Sequence, residues 1–187
     1  MKVIKTLIIV TAIFLSACND QIEANMSEPM VDFEFITQDE DKLNLESLEG
    51  EWWIANFMYT NCQTICPTTT VNLSKAQQEL SQEGFHPQIV SFSVDPTQDT
   101  PEVLKEYAAK YDVNLDTWSF LTGYDFETIQ KISEGTFNTV LRKGGADQFS
   151  HGFHFYLINP EGEIVKRYDG TSNAELQVLI EDITTVL

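Results

Sequence analysis

Basic side chains are scarce in this sequence: 11 Lys and Arg stand against 29 Asp and Glu, a formal net charge of -18 at pH 7 over 187 residues. Such a surface repels phosphate-rich polymers, so nucleic acid is excluded as a partner. The acidic residues form no single long block, which is the pattern of a solvated surface. Cysteine and histidine are scarcer still, with three of each, so chemistry on sulfur or imidazole has few positions to use. The apolar run Leu7 to Leu15 is too short to span a bilayer. Repeats and low-complexity tracts are absent. What is present is a hydrophobic content of 42% in a chain of ordinary domain length, enough for one buried core.

Lys2 and Lys5 ahead of the short apolar run have the charge and length of a secretory signal. The run ends in Leu15-Ser16-Ala17-Cys18, which resembles the lipobox of bacterial lipoproteins. That resemblance implies that Cys18 is lipidated and becomes the mature N-terminus; cleavage after Ala17 to give a secreted protein is the simpler alternative. The expected organisation is a signal peptide over residues 1–17, a lipidated N-terminus and polar tether over 18–30, and one domain over 31–187.

From Val31 an alternating run, a turn over Gln38 to Asp41 and an apolar set at Leu43, Leu45 and Leu48 predict a leading hairpin. Trp52 to Tyr59 is mostly apolar, as a central strand covered on both faces must be. Next come a helix over Pro67 to Glu83 stopped by Gly84, a buried strand over Gln88 to Val94, and a helix capped by Thr100, opened by Pro101 and ending near Tyr111. Trp118 to Leu121 reads as a short strand, Phe126 opens a helix of about two turns, and Arg142 to Gln148 reads as a loop. A hairpin of Phe153 to Ile158 and Ile164 to Tyr168 turns at Asn159-Pro160-Glu161-Gly162, and a final helix capped by Asn173 points Leu176, Leu179, Ile180 and Ile183 inward. This order predicts a three-layer α/β/α sandwich with a mixed sheet and an N-terminal hairpin, the thioredoxin-like arrangement.

Tyr59-Thr60-Asn61-Cys62-Gln63-Thr64-Ile65-Cys66-Pro67 stands where the central strand ends and the first helix begins. A thiol there meets unpaired N–H groups and the positive end of the helix dipole, which favour the reactive, metal-binding thiolate. With Pro67 as first helical residue, Cys66 falls at about the cap. A small structural disulfide or two inert core thiols are the plainer alternatives. If Cys18 takes lipid, Cys62 and Cys66 form a closed couple. Outside the cytosol that couple is oxidised unless a reductant or a metal holds it open.

His86, beside Pro87, reads as an exposed loop position, whereas His151 and His154 bracket the start of the late hairpin. In thioredoxin-like folds that strand runs beside the strand carrying the cysteines, so an imidazole there can meet both thiolates. Two sulfurs and one imidazole suit copper and also occur around zinc. His154 begins the strand alternation and reads as packing; His151 lies ahead of it, before Gly152, on a loop free to swing toward the cysteines. His151 is therefore the expected third ligand. Asp95 and Asp99 suit turn and cap roles, and Arg142 and Arg167 supply no peroxide-activating partner, which weighs against a peroxiredoxin.

From about Val31 to its end the chain resembles the Sco/SenC family, thioredoxin-like copper proteins serving cytochrome c oxidase assembly. The matching features are Tyr59-Thr60-Asn61-Cys62 through Cys66-Pro67, Val94-Asp95-Pro96 with Asp99-Thr100-Pro101, and His151 followed by Phe155-Tyr156-Leu157-Ile158. The resemblance implies that Cys62, Cys66 and His151 bind a copper ion. It also implies a membrane-anchored chaperone at the extracytoplasmic face of the cell membrane, which delivers copper to the binuclear centre of cytochrome c oxidase subunit II or reduces its cysteines. Gln63 stands where many members have proline, and Gly152 where many have serine; neither change removes a ligand. An extracytoplasmic thiol-disulfide oxidoreductase, with Cys62 attacking and Cys66 resolving, is the alternative, and a redox sensor or docking module a third reading. Three residues between the cysteines, where thioredoxin-type reductases more often have two, favour metal holding.

Overall fold

In the computed structural model, which describes residues 22–145 and 148–187, a mixed sheet of eight strands forms the middle layer. In chain order the elements are β1 (Glu28–Pro29), β2 (Glu34–Thr37), β3 (Lys42–Asn44), β4 (Trp53–Met58), α1 (Ile65–Gln82), β5 (Gln88–Ser93) and α2 (Pro101–Lys110). Then follow β6 (Trp118–Thr122), α3 (Phe126–Gly135), β7 (Arg142–Lys143), β8 (Phe149–Ser150), β9 (His154–Ile158), β10 (Glu163–Asp169) and α4 (Asn173–Val186). The sheet order is β1-β10-β9-β4-β5-β6-β2-β3, with β4, β5 and β6 parallel and the remaining neighbours antiparallel. The expected signal segment, the lipobox and Cys18 lie outside the described residues.

β4 takes the centre because all six of its residues are buried and it needs a covered neighbour on each side. Successive side chains point to opposite faces, which divides the core in two. On one face Ser91, Trp118 and Phe120 lie under α1 and α2: the Tyr107 and Thr70 hydroxyls are 2.7 Å apart, and the Tyr107 ring meets Phe120 at 6.1 Å. On the other, Phe137, just past α3, packs at 4.9 Å from Phe57, 6.1 Å from Phe92 and 4.8 Å from Tyr156. The leading hairpin adds Phe33, edge-on to Phe92 at 5.4 Å. Aromatic side chains bury the most apolar surface per residue, about 150–250 Å² each, so this face carries much of the fold's hydrophobic stabilisation.

The thioredoxin-like arrangement is thus as the sequence predicts, with differences at element ends. α1 begins at Ile65, so Cys66 lies inside the first turn and not at the cap, and Pro67 is the third helical residue. Proline is tolerated there because the first four N–H groups of a helix lack helical partners. Thr100 caps α2 as expected, its Oγ1 accepting from Val103 N–H. The cap of α4 is Ser172, not Asn173, since the Ser172 Oγ reaches the Glu175 N–H at 3.3 Å. α3 runs ten residues behind an Asp125 cap, longer than expected. Arg142 and Lys143 are not loop: they pair with Phe149 and Ser150 in a small ribbon, which sets the Phe149 ring against Tyr59 and Phe126.

The stretch expected as a tether partly joins the body. The Asn25 and Met26 N–H groups both donate to the Val165 carbonyl, Asn25 exchanges two side-chain hydrogen bonds with the Arg167 backbone, and Met30 is buried. These contacts and β1 cover the edge that β10 would otherwise expose to other chains.

One buried polar chain crosses the central strands: the Trp118 indole N–H donates to Ser91 Oγ at 2.8 Å, and Ser91 donates to Asn56 Oδ1 at 2.6 Å. Removing the hydroxyl strands two buried groups, at about 1–3 kcal/mol for each group left unsatisfied. Ser91→Ala is expected to reduce the unfolding free energy by a few kcal/mol, read as a lower denaturant midpoint, without changing the metal chemistry described below; an unchanged midpoint would refute that role.

Candidate metal centre

Where β4 ends, the chain makes an irregular turn over Thr60 to Thr64 before α1 begins. The turn is held from β5 and the loop after it. Asp99, fully buried, accepts from the Thr60 N–H at 3.2 Å, from Thr60 Oγ1 at 2.6 Å and from Ser93 Oγ at 2.5 Å. Burial raises its carboxyl above the ordinary aspartate value, opposed by these hydrogen bonds. Asp95 accepts backbone bonds from Gln98 and Asp99, the turn role expected of it, while Asp99 proves to be a latch for the cysteine turn and not a helix cap.

Both thiols are free and both are buried. Cys62 Sγ accepts the Cys66 N–H at 3.4 Å, one of the unpaired donors of the first helical turn, and lies 3.8 Å from Thr64 Oγ1. A hydrogen bond from the Cys66 thiol pulls Cys62 far below the ordinary thiol value, to about 4; burial opposes this, and the Cys66 and Thr64 donors add to it. Cys66 moves the opposite way, held protonated first by its hydrogen bond to Cys62 and then by its burial. The couple is therefore one thiolate beside one thiol.

His151 completes the group. Its Nε2 is 3.6 Å from Cys66 Sγ, and its Nδ1 is 2.7 Å from the Gly152 carbonyl oxygen. A carbonyl only accepts, so Nδ1 carries the proton and Nε2 presents a lone pair to the sulfur. Fixing one ring nitrogen this way is how proteins prepare the other as a metal ligand. Burial lowers the His151 pKa, which keeps the ring neutral. The Tyr59 ring stands edge-on to the imidazole at 5.7 Å and closes that side.

The structure thus brings Cys66 and His151 into contact, with Cys62 on the adjoining turn. Among the described residues no three Cys, His, Asp or Glu side chains are already closed around one point, so an ion held by all three would require the side chains to adjust. His154 turns away to line a small polar cavity with Asn25, Arg167, Asp169 and Glu175, and His86 is exposed. Arg142 pairs with Glu134, and Arg167 lies beside His154, so neither arginine serves the thiols. Reasoning from the sequence missed the Asp99 latch, Tyr59 and the Gly152 carbonyl: two act through backbone groups or packing, which no motif records.

A family model described as SCO1/SenC matches residues 22–187. The SCO1 protein homolog of Bacillus subtilis is 40% identical over 186 residues, covering 98% of this chain and 96% of its own. Among solved structures, BsSco, a member of the Sco family of cytochrome c oxidase assembly proteins with a disulfide switch, superposes with a TM-score of 0.79 at 39% identity, over 85% of this chain and 93% of its own. The copper-bound ScoI of Arabidopsis thaliana gives a TM-score of 0.71 at 25% identity, over 83% and 98%.

The lowered Cys62 and the Asp99 latch make one joint prediction. In the reduced protein, ultraviolet thiolate absorption is expected at neutral pH and lost only as the pH falls through about 4, and Cys62→Ser is expected to abolish it. Asp99→Asn cannot offer two acceptor oxygens to its donors, so it is expected to cost about 1–3 kcal/mol of stability and to shift the thiolate midpoint upward as the turn loosens. A midpoint unchanged in Asp99→Asn would separate the latch from the thiol.

Proposed function

The chain belongs to the SCO1/SenC family, and from that premise we propose that it is a copper chaperone whose ligands are Cys62, Cys66 and His151. The observation that carries this reading is the Cys66 and His151 contact at 3.6 Å, with Nδ1 already committed to a carbonyl and a thiolate available on the adjacent turn. Two sulfurs and one neutral imidazole form a soft set suited to copper. The copper bound by the Arabidopsis thaliana relative supports the choice of metal, and the oxidase-assembly family of BsSco supports the destination. We assign delivery to the binuclear copper centre of cytochrome c oxidase subunit II, with the copper as cargo. Cys18 would be lipidated, anchoring the chain at the extracytoplasmic face of the cell membrane, with residues 1–17 removed as a signal. Thiol-disulfide exchange is the lesser reading, because a ligand-ready imidazole against Cys66 is not needed for it.

Binding requires the reduced couple, since a disulfide offers no thiolate. Copper titration of reduced protein is expected to give one tight site, and Cys62→Ser, Cys66→Ser and His151→Ala are each expected to weaken it sharply while the fold persists. His154→Ala is expected to bind as the parent does; loss in that variant with retention in His151→Ala would reverse the ligand assignment. Separately, Cys18→Ala is expected to move the protein from the membrane fraction to the soluble one, because acyl chains anchor at about 0.8 kcal/mol per buried methylene. Unchanged membrane association would place the anchor elsewhere.

A further inference from the structure

Gly152 has no side chain, and none would fit. A Cβ built there would stand 2.2 Å from Thr139 Oγ1, 3.3 Å from Thr139 Cβ and 3.2 Å from His154 Nδ1. Its φ is not among the positive values of the chain, so close approach and not backbone conformation demands the glycine. The surroundings are fixed on both sides. The Thr139 N–H donates to the Ser133 carbonyl at 3.0 Å, and the Thr139 carbonyl accepts from Ser133 Oγ at 3.0 Å, pinning that residue to the end of α3. One residue beyond Gly152, the Phe153 carbonyl accepts from the Gly170 N–H at 3.0 Å.

The geometry points to the contact between Thr139 and Gly152 as the device that positions His151. Thr139 presses into the space a side chain on residue 152 would occupy, and so keeps the Gly152 carbonyl where it receives the His151 Nδ1 proton and turns Nε2 toward Cys66. Thr139 and Gly152 are positioning residues: neither is offered as a ligand. A side chain at 152 would push that carbonyl off its 2.7 Å contact and release the ring to its other tautomer. For copper binding this inference rests on the ligand reading above; for the metal-free protein it does not.

The test is nitrogen NMR of the His151 ring in reduced, metal-free protein, paired with copper titration. The parent is expected to show the Nδ1–H tautomer. Gly152→Ala is expected to lose that tautomer's dominance and to bind copper about ten- to a hundredfold more weakly, the usual cost of disturbing a residue behind a metal ligand. Adding Thr139→Ala lets the new methyl take the space the Thr139 hydroxyl filled, so the contact between positions 139 and 152 is remade and the double variant is expected to regain both the tautomer and the affinity. If Gly152→Ala fails to fold, the double variant alone decides, since it must then fold and show the parent tautomer. A Gly152→Ala protein that keeps the parent tautomer, or a double variant that recovers nothing, overturns the inference. Tautomers that respond as stated with copper affinity constant throughout would uphold the positioning and overturn the ligand reading instead.

Discussion

Three donors on one buried carboxylate hold this site together. Asp99 gathers Thr60, from the cysteine turn, and Ser93, from the end of β5, around a charge that has no exposure to water. An isolated carboxylate is expensive to bury, and the cost is tolerable only when hydrogen bonds replace the lost hydration. The turn could not wander without stranding that charge, so the cysteines inherit the rigidity of the parallel strands. The Tyr124 hydroxyl bonds the Ser93 carbonyl at 2.8 Å, extending the same support to β6.

On that frame the two sulfurs are made unequal. The first turn of α1 supplies an unpaired N–H to Cys62, while Cys66 sits deeper and keeps its proton beside an imidazole that can accept it. A soft cation entering the couple therefore meets one sulfur already ionised and displaces a single thiol proton. His151 Nε2, 3.6 Å from that thiol, can ligate only while it carries no proton, so the displaced proton must pass on to solvent. Capture of the ion and movement of one proton are chemically linked, whichever event comes first.

The architecture was legible because the apolar segments have unambiguous lengths and breaks. Trp53 to Met58 admits no solvent face, and Thr100-Pro101 announces a helix start by its own chemistry. That His151 would lie beside the cysteine turn was legible too, through residue type and spacing. What could not be seen depends on three-dimensional meeting. Asp99 looks like any acid ahead of a helix, and its donors are 39 residues and six residues distant in sequence. Ser172 and Asn173 are both good caps, so only geometry chooses between them. Arg142 and Lys143 are too polar and too few to predict a strand, and their pairing sets Phe149 against Tyr59 and Phe126, residues distant from it in sequence.

β1 lies antiparallel to β10, and Asn25 clasps Arg167, two residues short of the point where Asp169 pairs with His154. Traced backward from Glu28, the chain therefore leaves the sheet at the end that bears His151 and the cysteines. Ile22 already packs against the core, so an attachment at Cys18 would leave a leash of about four residue steps, a span of at most about 14 Å. Leash and cysteines would share one pole of the domain, turned to whatever surface the leash is fixed in. A copper recipient would then have to approach sideways through a narrow gap, and one rooted in that same surface would find the cysteines facing it.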